Sequence, residues 1–263
     1  MVDREPTKAA TPRMIDTGHH LLRTRIRGSG PTVILECGGA GEGVEGWGEE
    51  LEAALAARAT VVTYDCAGVG GSTGTQARTV TEMAEDLHRL TAGLDAELPA
   101  VFVGWSYGGL VTQMYALRHP ESVAGLVFVD PTATREPPGS ILARKASFAL
   151  VPLLLRLGAP FTGKNARSLR SLATTLDGMQ NAVHEVAEAR RHSNFPEVPL
   201  RVVTAGKRPR MPAAQLAHLD ADHRALAGQS PYGRISVAEH AGHRIPIDQP
   251  TAIVEAVDAV LGR

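Results

Sequence analysis

Short apolar segments alternate with segments of helical periodicity along most of the chain. The apolar segments predict β-strands at residues 20–27, 32–37, 60–64, 101–103, 123–129, 200–205 and 234–239. Apolar residues spaced three or four apart predict helices between them, near residues 47–58, 80–92, 110–117, 212–227 and 251–261. Apolar strands that alternate with helices are typical of a parallel sheet with helices on both faces. The pattern therefore predicts an α/β fold.

The alternation is interrupted at residues 132–197, where no segment has the pattern of a strand. Residues 141–157 are strongly apolar, and residues 164–193 are rich in Arg, Leu and Ala and predict two further helices. We expect this stretch to be a helical cap, or lid, over a site on the main fold. The core would then comprise residues 1–131 and 198–263, with residues 132–197 as the cap.

The composition is that of a globular protein, and it limits the classes of partner that we expect. Hydrophobic residues make up 43% and charged residues 21% of the 263 residues, which is enough for a sizeable core. The formal net charge of −1 supplies no electrostatic reason to expect nucleic acid or an anionic membrane as a partner. Two cysteines are too few for a disulfide framework, which fits a reducing compartment.

The N-terminal segment has no targeting signal that we recognise. Residues 1–8 contain no apolar core, and no run of about 18 apolar residues occurs anywhere in the chain. We therefore expect neither a signal peptide nor a membrane span, and a cytoplasmic location. Residues 1–17 are polar and contain two prolines, which predicts an irregular lead-in.

The strongest chemical signal is the motif Gly104-Trp105-Ser106-Tyr107-Gly108. It follows an apolar strand and precedes a helical segment, which is the context of a nucleophile elbow. The turn is sharp, so a side chain at either glycine would collide with neighbouring backbone. Ser106 is thereby expected at the N-terminus of a helix, where free N–H groups can stabilise a developing oxyanion.

The order of several motifs resembles that of the α/β-hydrolase superfamily over residues 20–262. These motifs are a glycine loop after a strand, Tyr-Asp-x-x-Gly-x-Gly-x-Ser at 64–72, Gly-Trp-Ser-Tyr-Gly-Gly at 104–109, Leu-Val-Phe-Val-Asp-Pro at 126–131, Gly-His at 242–243 and Ile-Asp-Gln-Pro at 247–250. The resemblance implies an eight-stranded, mostly parallel sheet and a triad in the chain order Ser, acid, His. It is closest to the esterase-like and lactonase-like members with a helical cap after the sixth strand.

The resemblance implies that Ser106 is the nucleophile and that a histidine near the C-terminus is its base. His243 fits this role because it lies in a Gly-His loop after the last predicted strand. His240, three residues earlier, is the alternative, and it is otherwise a solvated loop residue.

The acid of the triad is less directly indicated. Many family members carry it after the seventh strand, but residues 204–210 contain three cations and no carboxylate. Asp130, directly after the sixth strand, stands at the position that some members use instead, and we predict it as the acid. Asp220 and Asp222 fall on a predicted helix and are weaker candidates. Asp65 also ends a strand, but the resemblance makes it a structural residue of its loop.

The resemblance also implies an oxyanion hole made of two backbone N–H groups. One belongs to Tyr107, the residue after the nucleophile, and the other comes from the glycine loop. We predict Gly39 for the second, with Gly38 and Ala40 as alternatives. The family often has His-Gly at this point, whereas this chain has Glu-Cys-Gly-Gly at 36–39.

We expect no cofactor and no metal ion. The glycine loop lacks the Gly-Lys-Ser/Thr ending of a phosphate-binding loop and the pattern of a dinucleotide fold. The histidines have no ligand-like spacing with Cys or Asp. Cys37 and Cys66 end two strands that this fold places side by side, and we interpret them as small buried apolar residues rather than as a disulfide.

These features predict a serine hydrolase that cleaves a carboxylic ester, lactone or thioester of a small molecule through an acyl-enzyme. Two alternatives stay open: an acyltransferase, lyase or other cofactor-free biosynthetic enzyme on this fold, and a non-catalytic ligand-binding protein. The apolar residues of the predicted cap favour an apolar or medium-sized substrate, unless they only pack the cap on the sheet. These residues are Ile141, Leu142, Phe148, Leu150, Leu153, Leu154, Leu157 and Phe161.

Overall fold

Eight strands run through the computed structural model of the chain, which describes residues 11–94, 97–135 and 138–262, with side chains for all but 141–148 and 164. They are β1 (Arg13–Asp16), β2 (Leu21–Arg27), β3 (Thr32–Glu36), β4 (Thr60–Tyr64), β5 (Ala100–Trp105), β6 (Val123–Val129), β7 (Leu200–Ala205) and β8 (Gly233–Ala238). They form one sheet in the order β1-β2-β4-β3-β5-β6-β7-β8. β2 pairs antiparallel with β1 and β4, and the other neighbours pair in parallel. The predicted eight-stranded, mostly parallel sheet is confirmed.

Helices cover both faces of this sheet. They are α1 (Gly43–Gly46), α2 (Glu49–Ala56), α3 (Val80–Gly93), α4 (Gly108–Arg118), α5 (Ile141–Gly158), α6 (Ala166–His192), α7 (Ala213–Ala227), α8 (Ile245–Asp248) and α9 (Pro250–Val260). On one face, α2 and α9 bury Leu51 and Ile253 against the strands. On the other face, α3 and α4 bury Leu87 and Leu110 around Phe102. The sheet is thus enclosed by two apolar layers, as expected for parallel strands.

Two segments differ from the sequence-based expectations. β1 lies in the stretch that we expected to be irregular, because its hydrogen bonds come from antiparallel pairing with β2 and only Ile15 is buried. A polar strand of this kind has no periodic signal of its own. The two helices predicted at 164–193 are a single helix of 27 residues, α6. The predicted lead-in at residues 1–10 lies outside the described residues.

The insertion between β6 and β7 is helical, as expected, and its described residues contain no strand. α5 and α6 pack against each other and are joined by two short 3-10 turns. α6 also packs on the core, because its Ala182 and Val186 are buried among residues of α3 and α4. Within the part of the chain that the structure describes, every helix is too short or too polar to cross a bilayer.

The register of the parallel strands aligns the carboxyl ends of β3, β5, β6 and β7. Glu36 pairs with Gly104, Trp105 with Val129, and Val129 with Val203. The loops that follow these strands therefore meet at one edge of the sheet. Parallel α/β sheets bind their ligands at this edge. The predicted site residues lie in these loops, except His243, which follows β8, whose last residue Ala238 pairs with Ala205 at the end of β7.

Candidate active site

Ser106 occupies a strained turn between β5 and α4, with a backbone φ of 55°. Its N–H donates to the Val129 carbonyl at 3.0 Å, and its own carbonyl accepts from the Thr132 N–H at 3.0 Å. A side chain at position 108 would collide with the carbonyl oxygen of Cys37, so only glycine allows this packing. The strained backbone is therefore held by the neighbouring strand and loop, which aim the serine side chain away from the sheet.

Ser106, His243 and Asp130 form a continuous hydrogen-bonded chain. The His243 Nε2 atom lies 2.9 Å from Ser106 Oγ. The other ring nitrogen, Nδ1, lies 2.6 Å from Asp130 Oδ2. A serine and a base in contact, with the base oriented by a carboxylate, is the arrangement that activates a hydroxyl nucleophile. The structure thus brings together the three residues predicted as the triad.

Asp130 is held in place from several sides. Its backbone N–H donates to the Val203 carbonyl at 2.7 Å, and its Oδ1 accepts from the Ala205 N–H at 3.2 Å. Burial alone would raise the pKa of Asp130, but the hydrogen bonds from His243 and from the Ala205 N–H outweigh burial and lower it. The carboxyl group is therefore charged at neutral pH, as a partner of an imidazolium must be.

The backbone at Asp130 is strained in the same sense as at Ser106. Its φ is 40°, and these two are the only non-glycine residues with positive φ in the described part of the chain. Strain of this kind costs about 1–3 kcal/mol per residue and concentrates at functional sites. Both strained positions directly follow a parallel strand and meet at His243, which marks this sheet edge as the candidate active site.

Trp105 holds the backbone of His243 in place. Its indole Nε1 donates to the His243 carbonyl at 2.9 Å, and the two rings lie 5.9 Å apart. The His243 side chain itself is 56% exposed, so water reaches the imidazole. We did not anticipate this role for Trp105, although its position next to the serine was a usable signal. The alternative base, His240, is exposed, and its backbone N–H donates to Gln249.

The other candidate acids have different partners. Asp220 is ion-paired with Arg208. Asp222 is buried and accepts from the Thr134 N–H at 2.9 Å. Asp65 is buried and accepts from backbone N–H groups of its own and a neighbouring loop, the Val44 N–H at 3.0 Å among them. These contacts fit structural roles for all three carboxylates.

The glycine loop passes directly beside the serine. A Cβ atom built on Gly38 would lie 3.6 Å from the Ser106 Cβ atom, and the Gly41 N–H closes the loop by donating to the Gly38 carbonyl at 2.9 Å. The N–H group of Tyr107 has no hydrogen-bond partner among the described residues, and the same is true of Gly39 and of the alternatives Gly38 and Ala40. Two free N–H groups beside a nucleophile are the elements of an oxyanion hole.

Helix α6 fixes one peptide group of this loop. The Thr175 hydroxyl donates to the Gly39 carbonyl at 2.7 Å, and the Gln76 Nε2 donates to Thr175 Oγ1 at 3.1 Å. A peptide group is planar, so fixing the Gly39 carbonyl also fixes the direction of the Ala40 N–H. Sequence reasoning missed Thr175, because it lies in a helix of the insertion and belongs to no motif.

Two open clefts flank His243. The first, about 500 Å³, is lined by the glycine loop, Ser106 and Leu172 of α6. The second, about 430 Å³, is lined by Asp130, by Lys207 and by apolar residues of the β7–α7 region. A small or medium-sized molecule can therefore reach the Ser106 hydroxyl from the first cleft.

The apolar residues of the predicted cap are arranged differently from what we expected. Those whose side chains are described are largely exposed, and they neither line these clefts nor pack on the sheet: Leu150, Leu153, Leu154, Leu157 and Phe161. The side chains of Ile141, Leu142 and Phe148 lie outside the described set. Helical periodicity identifies an apolar face but not the direction in which it points.

A buried polar cluster lies beneath the glycine loop. The Cys37 and Cys66 Sγ atoms are 3.8 Å apart as free thiols, and Glu36 accepts from the Tyr64 hydroxyl. Glu36, Cys37 and Cys66 have ligand atoms within 4.8 Å of one another, which is close enough to hold a metal ion. However, burial raises the pKa of Glu36 to about 8, and the Cys37 contact together with burial raises that of Cys66 well above its usual value. The neutral forms of these ligands are therefore favoured, and they bind metals poorly.

Comparisons with known proteins agree with this architecture. The sequence profile of the alpha/beta hydrolase family matches residues 37–256. The uncharacterized protein YqjL of Bacillus subtilis (strain 168) is 26% identical over 230 residues, which are 87% of this chain and 83% of YqjL. A mutant of the haloalkane dehalogenase DatA from Agrobacterium tumefaciens C58 superposes with a TM-score of 0.74 at 16% identity, covering 97% of this chain and 98% of DatA. A membrane phospholipase A superposes with a TM-score of 0.64 at 19% identity, covering 97% and 86% of the two chains.

Proposed function

Because the chain belongs to the alpha/beta hydrolase family, we propose that it is a serine hydrolase of carboxylic esters, lactones or thioesters. The observation that carries this proposal is the contact chain from Ser106 Oγ to His243 Nε2 and from His243 Nδ1 to Asp130 Oδ2. Ser106 is the nucleophile, His243 the base and Asp130 the residue that orients the base. The N–H groups of Tyr107 and Gly39 form the oxyanion hole.

The reaction proceeds in two steps at these residues. His243 accepts the Ser106 proton as the serine oxygen attacks the acyl carbon, and the resulting oxyanion receives hydrogen bonds from the two N–H groups. The leaving group takes the proton from His243, which produces an acyl-enzyme. A water molecule, deprotonated by His243, then releases the acid. Each oxyanion donor contributes about 2.7–4 kcal/mol of transition-state stabilisation.

A serine nucleophile favours acyl substrates over the alkyl substrates of enzymes such as a haloalkane dehalogenase. Attack of a serine on an alkyl carbon would form an ether, which has no carbonyl for water to attack and would leave the enzyme blocked. Attack on an acyl carbon forms an ester, which water cleaves by the same chemistry that formed it. The identity of the residue at position 106 therefore supports ester-type substrates.

The exposure of the base favours hydrolysis over acyl transfer. The His243 side chain is 56% exposed, so bulk water has direct access to the imidazole that would activate it. An acyltransferase must exclude water from its acyl-enzyme long enough for another acceptor to bind. This observation supports a hydrolase as the first candidate.

The proposal is tested by intact-mass spectrometry after treatment with a fluorophosphonate, which reacts with activated serines. We expect one adduct, located at Ser106, and its absence in the Ser106→Ala variant. The same preparations are assayed against p-nitrophenyl esters of increasing acyl length, with Ser122→Ala as a control, since Ser122 is a buried serine beside β6.

Two results would reject this proposal. One is a native protein that takes up no phosphonate and hydrolyses no ester. The other is a Ser106→Ala variant that retains turnover. A phosphonate adduct without ester hydrolysis would instead favour acyl transfer, because it shows an activated serine with a different acceptor.

A further inference from the structure

Helix α5 presents a broad apolar surface to solvent. Leu150, Leu154 and Leu157 follow one another at helical spacing, with Val151 and Leu153 on either side, and Phe161 lies in the 3-10 turn directly after α5. The exposed fractions of these residues range from 43% to 89%. We call these six residues the outer apolar face. Pro152 is buried on the opposite side of the helix. Exposed apolar residues usually occur singly on a soluble protein, so a continuous face of this size marks an interaction surface.

The charged residues in this segment of the sequence are of one sign. Residues 137–176 contain six Arg and Lys residues and neither Asp nor Glu, although the whole chain carries a formal charge of −1. Two of the six, Arg167 and Arg170, are exposed in the first turns of α6, shortly after Phe161. Arg156 is ion-paired with Asp177 of α6. The net charge of the whole chain does not reveal this cluster of cations, because the remaining residues carry an excess of acidic side chains.

The outer apolar face lies on the helix that packs against α6, and α6 contributes to the candidate active site. α5 packs on α6, and α6 contributes Leu172 to the cleft beside Ser106 and Thr175 to the glycine loop. The six residues of the face are exposed, and none of them lines that cleft.

We propose that the outer apolar face docks on the surface of an anionic lipid bilayer. An apolar helix face flanked by cations is the arrangement with which helices bind in the headgroup region of a membrane. α5 has 18 residues, and no described helix is apolar enough to span, so the helix would lie on the bilayer rather than cross it. A second copy of this chain is a poorer partner, because a two-fold interface would place the same cations opposite each other.

The proposal is tested by flotation of the full-length protein with vesicles of phosphatidylcholine, with or without about 30% phosphatidylglycerol. We expect binding to the anionic vesicles, with a loss of at least about tenfold in the variant Leu154→Ser/Leu157→Ser. The variant Arg167→Glu/Arg170→Glu should bind anionic vesicles at least about 25-fold more weakly, since each of the two surface cations contributes about a fivefold factor. Salt at about 0.5 M should weaken binding in the same direction.

A matched control removes exposed apolar area elsewhere. Ile235 and Val237 are 40% and 46% exposed on β8, and the variant Ile235→Ser/Val237→Ser should float like the native protein. Circular dichroism and light scattering on every variant establish that the fold and the oligomeric state are intact. The readout is vesicle binding alone, so the result is independent of whether Ser106 is catalytic.

Three results would overturn the proposal. The native protein fails to float with anionic vesicles, or the leucine variant floats as well as the native protein. In the third result, the native protein is a dimer that binds no vesicle, and the leucine variant is a monomer. That result would assign the outer apolar face to a second copy of the chain.

Discussion

Replacement of Asp130 by Asn tests the least usual feature of the candidate site, an acid that follows β6. The exchange keeps the size of the side chain, and Asn tolerates the φ of 40° as Asp does. In the native protein, Oδ1 accepts from the Ala205 N–H and Oδ2 lies 2.6 Å from His243 Nδ1. The Asn side chain has only one oxygen, and that oxygen is needed to accept the hydrogen bond from the Ala205 N–H. The Asn Nδ2 group is therefore directed at the His243 ring.

The predicted consequence is a change of tautomer. An Nδ2 donor opposite His243 Nδ1 forces that nitrogen to accept, so the ring proton moves to Nε2. Nε2 lies 2.9 Å from Ser106 Oγ and would then present a proton to the serine instead of taking one. In serine proteases the matching exchange lowers kcat by about 10⁴-fold, or about 5.5 kcal/mol. We expect a loss of the same order in Asp130→Asn.

The assay is steady-state hydrolysis of the best p-nitrophenyl ester, with kcat and KM determined separately and thermal melts as a check on folding. Asp220→Asn is the matched control, because Asp220 pairs with Arg208 and should leave kcat within about threefold of the native value. A kcat for Asp130→Asn within about tenfold of native would refute the reasoning, since one misoriented base cannot leave a serine activated.

Three further predictions concern the surroundings of the site. Thr175→Val should lower kcat about two- to tenfold, because the glycine loop that carries the proposed oxyanion donor loses the hydrogen bond at the Gly39 carbonyl. Thr175→Ser should restore kcat, and a change in KM alone would contradict this. Burial raises the pKa of Glu36 to about 8, so the folded state keeps a proton that the unfolded chain releases near pH 4.5. The free energy of unfolding should therefore decrease by on the order of a few kcal/mol as the pH rises from 4.5 to about 8. Thermal melts of Glu36→Gln should show a smaller decrease, because Glu52, whose pKa burial raises to about 7, still contributes one, and an unchanged pH profile would argue against it. Gly108→Ala should yield no soluble protein, whereas Gly158→Ala, which has no atom within 4 Å of its added Cβ, should melt like the native protein.

Much of the fold was predictable because its signals are local. The strands β2 to β8 are apolar or alternating segments bounded by turn residues, and their alternation with helices is enough to predict a parallel sheet. The nucleophile elbow is local too, since two glycines and a serine within five residues define a strained turn by steric exclusion alone. The sequence alone is therefore sufficient to identify Ser106 as the candidate nucleophile.

The remaining triad positions depended on order along the chain rather than on local geometry. Asp130 was predicted because the stretch after β7 has cations and no carboxylate, and His243 because of its Gly-His loop. Their contacts span 113 and 137 residues of sequence, and only the parallel register of β5, β6, β7 and β8 brings them within hydrogen-bond distance. Their catalytic roles stay predictions until the variants are assayed.

The sequence by itself determined which segments form the strands β2 to β8, which turn is strained and which face of α5 is apolar. Only the tertiary structure decided that β1 exists, that Thr175 holds the glycine loop, and that the outer apolar face points to solvent rather than into the cleft. The physical reason is the distance along the sequence over which each kind of interaction acts. Periodicity and steric exclusion act within a few residues, whereas the direction of a helix face and the partner of a hydroxyl are set by elements about a hundred residues away.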